Sequence, residues 1–403
     1  MVRRMIERPT YMSQLKRLRD DRGHVKVITG IRRCGKSTLL SQFREVLLSD
    51  GVKDEEMLLI NFESSDFDSI TDHESLNAYL KPKIRPKGRF YLFLDEIQRV
   101  NGWEKTVNAL MVDTEADIYI TGSNAHLLSS DIVTYLTGRY VEVKMLPLSF
   151  REYMDLRGNG RRTEDVFTEY FNFGGFPGID PELGEQSVSA MLDDLYSSIV
   201  FRDMVTRGNV RKPEELGRMV TYLMLNIGNP IENTVMAREL HMNIRTVEKY
   251  LTVIQAACMF YRADRFDLKS TALKPTPKYY VADPGLRNNA VGMASKDLGR
   301  VLENIVFLEL KRRGYSIITG KWDRREVDFV TEKKGMKAYW QVCLGYYNDE
   351  TEARELAPLR AIRDNNPKTV ILLDGKTSTT RDGIREIGIT SFLLDGDGPF
   401  SDS

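Results

Sequence analysis

Apolar residues along this chain fall into short runs that alternate with helical stripes. His24-Val-Lys-Val-Ile-Thr29 is a β-branched run of strand length. Such a run predicts a buried strand. Thr38-Leu-Leu-Ser-Gln-Phe-Arg-Glu-Val-Leu-Leu48 follows with apolar positions at helical spacing. Further strands are predicted at Phe90-Tyr-Leu-Phe-Leu, just before Asp95 and Glu96, and at Asp117-Ile-Tyr-Ile-Thr-Gly122. This alternation predicts an α/β domain with a parallel sheet over residues 1–150. Residues 151–185 read as a helical connector that closes in Phe173-Gly-Gly-Phe-Pro177. A helical pattern then runs from Met191 past Leu225, interrupted near Gly208. Asn233 can cap a short helix containing Met236-Ala-Arg-Glu-Leu240, and a tight His241-Met242-Asn243 turn follows. Ile244, Val247, Leu251 and Ile254 form one apolar stripe. Met259–Phe266 and Pro277–Val281 read as two strands of a hairpin, so residues 186–290 predict a winged helix. Residues 295–395 predict a restriction-endonuclease-type α/β fold, with a helix at Leu302–Lys311 and strands at Glu326–Val330 and Ala338–Cys343. Internal repeats and low-complexity segments are absent, as is any apolar run long enough to span a membrane.

The link between the first strand and helix reads Gly30-Ile-Arg-Arg33-Cys34-Gly35-Lys36-Ser37-Thr38, a complete Gly-x-x-x-x-Gly-Lys-Ser phosphate loop. It fixes the expected ligand as ATP or a similar triphosphate with Mg²⁺. Glycines let backbone N–H groups turn inward around phosphate oxygens, and the helix N-terminus adds partial positive charge. Gly30, Arg33, Cys34, Gly35, Lys36, Ser37 and Thr38 are the expected nucleotide cradle. Lys36 is expected on the β- and γ-phosphates, and the Ser37 hydroxyl on Mg²⁺. The strand ending in Asp95-Glu96 supplies the second half of such a site. Asp95 is expected to hold Mg²⁺ through water, and Glu96 to polarise the attacking water. After the third strand, Ser123 and Asn124 either touch the γ-phosphate or form only a turn. Arg139, in Leu136-Thr-Gly-Arg-Tyr140, is either a finger that neutralises transition-state charge, in its own subunit or a neighbour's, or a surface ion-pair residue.

These motifs, with Leu146-Pro-Leu-Ser-Phe-Arg-Glu-Tyr153, Phe173-Gly-Gly-Phe-Pro177 and Arg325-Glu-Val-Asp328-Phe329, resemble those of AAA+-related ATPases of bacteria and archaea. In that family a P-loop domain is joined to a C-terminal region of unassigned function. The resemblance covers nearly the whole chain. It implies a nucleotide-hydrolysing domain and says little about biological role.

Composition narrows the partners. The chain has 403 residues, enough for two to four domains. Lys plus Arg and Asp plus Glu both number 58, so there is no global basic footprint, and any DNA contact must rest on local patches. One is Lys81-Pro-Lys-Ile-Arg-Pro-Lys-Gly-Arg89, either a solvated loop or a backbone contact. Another is the polar face of the second winged-helix helix, where Asn243, Arg245, Thr246 and Lys249 are the candidate DNA-binding residues, with Glu248 among them. In AAA+ proteins such a domain also serves as a lid or assembly surface. Cys34, Cys258 and Cys343 lack the spacing of a metal site or disulfide framework. The N-terminus has no signal-peptide core, so a cytoplasmic location is expected.

In the last region Glu303, Asp328, Gln341 and Cys343 occupy a degenerate nuclease site. An active member needs an Asp and then Glu-x-Lys, to bind metal and activate water. Gln341 and Cys343 replace the Glu and Lys, so no cleavage is expected. The chain thus reads as a cytoplasmic Mg-ATP-hydrolysing ATPase that couples nucleotide state to DNA binding or remodelling. The alternative is an ATP-gated regulatory or assembly switch acting on protein partners. A homo-oligomer is among the expected partners, and a membrane is not.

Overall fold

Val25–Gly30 (β1), Phe90–Asp95 (β3) and Ala116–Gly122 (β4) are buried at every position. That is the signature of parallel strands covered on both faces. With Met57–Asn61 (β2) and Tyr140–Met145 (β5) they form a five-stranded sheet ordered β2-β3-β4-β1-β5, all parallel. Helices α1 (Pro9–Arg17), α2 (Lys36–Ser49), α3 (His73–Leu80) and α4 (Trp103–Asp113) belong to the same unit. Helix α2 buries Leu39, Leu40, Phe43 and Leu47. A core of Val27, Ile60, Leu92, Leu94, Ile118 and Ile120 runs through the sheet. The computed structural model describes residues 6–84, 87–123, 136–268, 272–322, 325–346, 348–374 and 379–395. It divides into two units, 1–145 with 256–258, and 146–255 with 259–403.

The second unit begins with helices α5 (Phe150–Arg157) and α6 (Thr163–Phe173). The Leu-Ser-Phe-Arg-Glu motif is a capping box: Glu152 N–H donates to Ser149 Oγ at 3.1 Å, and Ser149 N–H to Glu152 Oε2 at 2.7 Å. The Gly-Gly-Phe-Pro motif also has a packing reason. A Cβ on Gly174 would stand 2.0 Å from Asp283 Oδ1. Asp283 accepts from Gly175 N–H at 2.7 Å and caps helix α11 (Pro284–Val291). Between them lie α7 (Glu185–Ser198), a π-helical stretch Ile199–Thr206, and α8 (Pro213–Leu225). The expected break near Gly208 falls between these elements.

Helices α9 (Asn233–Glu239) and α10 (Ile244–Ala256) flank a short turn, and strands β6 (Phe260–Asp267) and β7 (Ala272–Val281) form an antiparallel hairpin. Two local expectations change. Glu232, not Asn233, holds the cap position of α9. Ile244 begins α10 and is 39% exposed, while Val247, Leu251 and Ile254 are buried. The hairpin is not a separate layer. Strand β6 pairs in parallel with Ser316–Trp322 (β8), so hairpin and C-terminal strands share one sheet. Its order is β12-β13-β11-β10-β9-β8-β6-β7, with β9 at Arg325–Lys333, β10 at Met336–Cys343, β11 at Lys368–Leu372, β12 at Thr379–Arg381 and β13 at Ile384–Gly388. Helix α12 (Leu298–Arg312) contacts this sheet, as does α13 (Asp349–Ala361).

Candidate functional site

Loops leaving the carboxyl ends of β1, β3 and β4 place the expected nucleotide residues together. Such ends are where open α/β sheets bind ligands. Gly30 has φ 155°, and a Cβ there would lie 2.2 Å from the Met145 carbonyl oxygen. Gly35 has φ 106° and begins α2 with no side-chain cap. Backbone N–H groups at this helix start are therefore left for a ligand. The loop is braced from behind: Arg8 donates to the Cys34 carbonyl at 3.0 Å, and Cys34 is wholly buried. Burial pushes the Cys34 thiol up, so it is a filler rather than a nucleophile.

Lys36 is 4% exposed. Its ammonium donates to Gly30 O at 3.1 Å and Ile31 O at 3.3 Å, and stands 3.8 Å from Glu96 Oε1. Asp95 accepts from the hydroxyls of Thr121 and Ser37. Burial raises the Asp95 carboxyl above its usual value, against those two hydrogen bonds. Thr121 was not legible as a site residue. It also accepts the Glu96 N–H at 2.9 Å, so one hydroxyl ties both acids to the neighbouring strand. Glu96 has φ 55° and bonds through its carboxylate to Gln98 Nε2. Arg32 donates to Glu63 at 3.2 Å, and Arg99 joins the same carboxylate at 3.4 Å. Arg33, Ser37 and Thr38 are exposed at the mouth.

These groups fit a magnesium triphosphate. Ser37 and Asp95 offer hard oxygen donors, and Mg²⁺ usually takes one or two protein oxygens beside phosphate. Asn124 lies outside the described residues, and Ser123 is buried at the end of β4. Arg139 needs a correction. It precedes β5 and is exposed, and its carbonyl accepts from Val25 N–H at 2.8 Å. Val25 pairs with Tyr140 and Gly30 with Met145. Arg139 is thus level with the start of β1, about 17 Å of strand from the phosphate loop, at some 3.3 Å per residue. That distance rules out service to its own subunit's loop.

In the second unit, Arg245 and Lys249 are exposed on α10 and Thr246 is half-buried. Asn243 Oδ1 accepts from Arg245 N–H at 2.9 Å, so that side chain caps the helix. The C-terminal cluster differs from expectation. Glu303 accepts from Lys278 at 3.0 Å and from Tyr280 hydroxyl at 2.6 Å, and Lys278 also reaches Glu326 at 2.9 Å. Burial works against the Lys278 charge, but Glu303, Asp328 and Glu326 outweigh it and raise its pKa. Asp328 accepts from Val342 N–H at 2.8 Å, and burial, then Glu303, drives its carboxyl well above the usual range. Gln341 is 7% exposed, and its amide oxygen has no hydrogen-bond partner among the described residues. Cys343 belongs to an apolar cluster with Leu356, Leu359 and Val370, and burial pushes its thiol up to about 12. The ammonium beside the acids therefore comes from β7, not from the strand bearing Gln341 and Cys343. No helix among the described residues is long and apolar enough to cross a membrane.

The strand–loop–helix site and parallel sheet define a P-loop protein of the AAA+ class. A family described as an AAA domain matches residues 22–154, and one described as a domain of unknown function (DUF8612) matches residues 164–297. An uncharacterized protein of Haemophilus influenzae is 38% identical over 409 residues, covering 98% of this chain and 100% of its own length. An uncharacterized protein of Methanocaldococcus jannaschii is 33% identical over 366 residues, covering 84% of this chain and 79% of its own. The chain belongs to the same family as these two proteins, and its residues 22–154 match an AAA domain. Among solved structures it is similar to the replication initiator DnaA bound to AMPPCP and single-stranded DNA, at 15% identity and TM-score 0.33, over 61% of this chain and 86% of that one. It is similar also to Drosophila ORC bound to AT-rich DNA and Cdc6, at 11% identity and TM-score 0.25, over 70% of this chain and 90% of that one. Likenesses this distant carry no argument about function.

Proposed function

We propose that the chain is a cytoplasmic Mg-ATP-dependent ATPase whose nucleotide state is coupled to DNA. The observation that carries the reading is the convergence of Lys36, Ser37, Asp95 and Glu96, joined through Thr121, at one end of the sheet. Lys36 takes the β- and γ-phosphates, and the N-terminus of α2 takes the remaining negative charge. Ser37 and Asp95 would hold Mg²⁺, which would supply charge neutralisation at the phosphates. Glu96 orients a water whose oxygen bonds to the γ-phosphorus. The β–γ bridging bond breaks, ADP keeps its electron pair, and the water's proton passes to Glu96 or the released phosphate. Asp95 stays fixed by its two hydroxyl partners, so it holds position while charge moves.

Helix α10 and the β6–β7 hairpin are the proposed winged-helix DNA reader, with Arg245 and Lys249 as exposed cations. Residues 295–395 are proposed as a degenerate endonuclease-like scaffold. The rival, a switch acting on protein partners, draws on exposed Ile244 and Leu273, the latter 61% exposed, at the helix start and on the hairpin. ATPase rate in low salt, with and without duplex and branched DNA, separates the two. Stimulation by DNA supports the first. A rate indifferent to every nucleic acid favours the second.

A further inference from the structure

Glu96 is restrained from three directions. Its backbone sits in the left-handed region at φ 55°, which residues with a Cβ adopt rarely. Its N–H is bonded to Thr121. Of its carboxylate oxygens, Oε1 faces the Lys36 ammonium at 3.8 Å and Oε2 accepts from Gln98 Nε2. Chemistry fixes the amide's orientation. An ionised carboxylate only accepts, so the NH₂ side of Gln98 must face it. The Gln98 carbonyl oxygen is then buried with no hydrogen-bond partner among the described residues. A buried acceptor left unpaired is costly, and here that cost accompanies the bond to Glu96.

We propose that Gln98 is a positioning residue for Glu96: it holds Oε2 so that Oε1 is left to orient the attacking water. The proposal rests on the reading of Glu96 given above. Lys36 turns its donors on Gly30 O, Ile31 O and the Glu96 side. A triphosphate carries more negative charge than these groups and draws the ammonium toward itself. Glu96 then loses its partner at Oε1. A glutamate side chain with three rotatable bonds and no other tether would sample several rotamers. The Gln98 bond removes that freedom, and a fixed carboxylate holds the water in line.

Gln98→Leu keeps much of the side-chain volume and removes the donor. Its expected effect on steady-state ATP hydrolysis is a kcat loss of about tenfold to a hundredfold, with KM and nucleotide affinity unchanged. The retained affinity also reports a folded site. Because Gln98 acts only through Glu96, the double variant Glu96→Gln with Gln98→Leu is expected to match Glu96→Gln alone. Wild-type kcat in Gln98→Leu, or a further loss in the double variant, overturns the proposal. An inactive Glu96→Gln beside a fully active Gln98→Leu removes only the role of Gln98. A fully active Glu96→Gln removes the reading of Glu96 itself.

Discussion

The Lys36 ammonium lies 3.8 Å from the Glu96 carboxylate, so the residue that binds phosphate and the one that handles water are electrostatically linked. Lys36→Ala therefore removes more than a phosphate contact. It deletes the point cation of the cradle and leaves a buried carboxylate without its countercharge. ATP binding, followed by a fluorescent analogue, is expected to be lost or greatly weakened. Wild-type affinity in Lys36→Ala counts against the cradle.

Thr121 carries a second prediction. Its hydroxyl donates to Asp95 and accepts from Glu96 N–H. Thr121→Val is nearly isosteric, yet it takes the partner of the buried Glu96 N–H and leaves Asp95 with the Ser37 hydroxyl alone, at about 1–3 kcal/mol. Hydrolysis is expected to fall by about tenfold or more, since each 1.4 kcal/mol is a factor of ten. A turnover number unchanged in Thr121→Val contradicts the shared-hydroxyl role.

Arg139, level with the start of β1, is proposed either to act from a neighbouring subunit or to be a surface residue. If the chain assembles with Arg139 facing the next protomer's phosphate loop, Arg139→Ala is expected to cut turnover far more than affinity. Mixing Arg139→Ala with Lys36→Ala protein is then expected to restore part of the activity, because some interfaces join an intact loop to an intact arginine. Turnover unaffected by Arg139→Ala leaves it a surface residue.

DNA contact is proposed for α10. Arg245→Glu with Lys249→Glu is expected to abolish DNA association and leave basal hydrolysis intact, because both cations are exposed and remote in sequence from the phosphate loop. Wild-type affinity is expected to drop steeply with salt, as phosphate contacts release counterions. DNA binding retained by the double variant moves the contact elsewhere, to the basic stretch 81–89 first.

Asp283 links stability to pH. Burial raises its carboxyl to about 7, against hydrogen bonds from Gly175, Leu286 and Gly285. Its ordinary value is 3.8, so between pH 3.8 and about 7 the folded chain holds a proton that the unfolded chain releases. This stabilisation is full below that window and is lost as pH rises through it. The urea midpoint of the wild type is expected to carry this falling contribution, and Asp283→Asn to lack it. Identical pH slopes for the two proteins refute the assignment.

What the sequence made legible is what is local. A β-branched run, two glycines and a helical stripe lie within twenty-five residues, so the phosphate loop and its strand and helix could be read directly. Asp95 and Glu96 followed because an acid after an apolar strand is a contiguous pattern. Thr121 was hidden because its partners come from strand order: β4 sits beside β3, and no spacing says so. Arg139 looked like a site residue by its place after the third strand, until the parallel register set it at the far end of β5. Lys278 was hidden for the same reason. A lysine was sought two positions after Gln341, whereas the ammonium beside Glu303 arrives from β7. Gly174 and Gly175 were visible as a motif, but their contact with Asp283, more than a hundred residues on, was not.

The central claim is hydrolysis at this site through Glu96, and phosphate release by Glu96→Gln tests it most directly. The wild type is expected to release phosphate from ATP in Mg²⁺. Glu96→Gln is expected to bind ATP with similar affinity and release almost none, since the cradle is intact and the water-orienting carboxylate is gone. Phosphate release by Glu96→Gln at the wild-type rate would contradict the account.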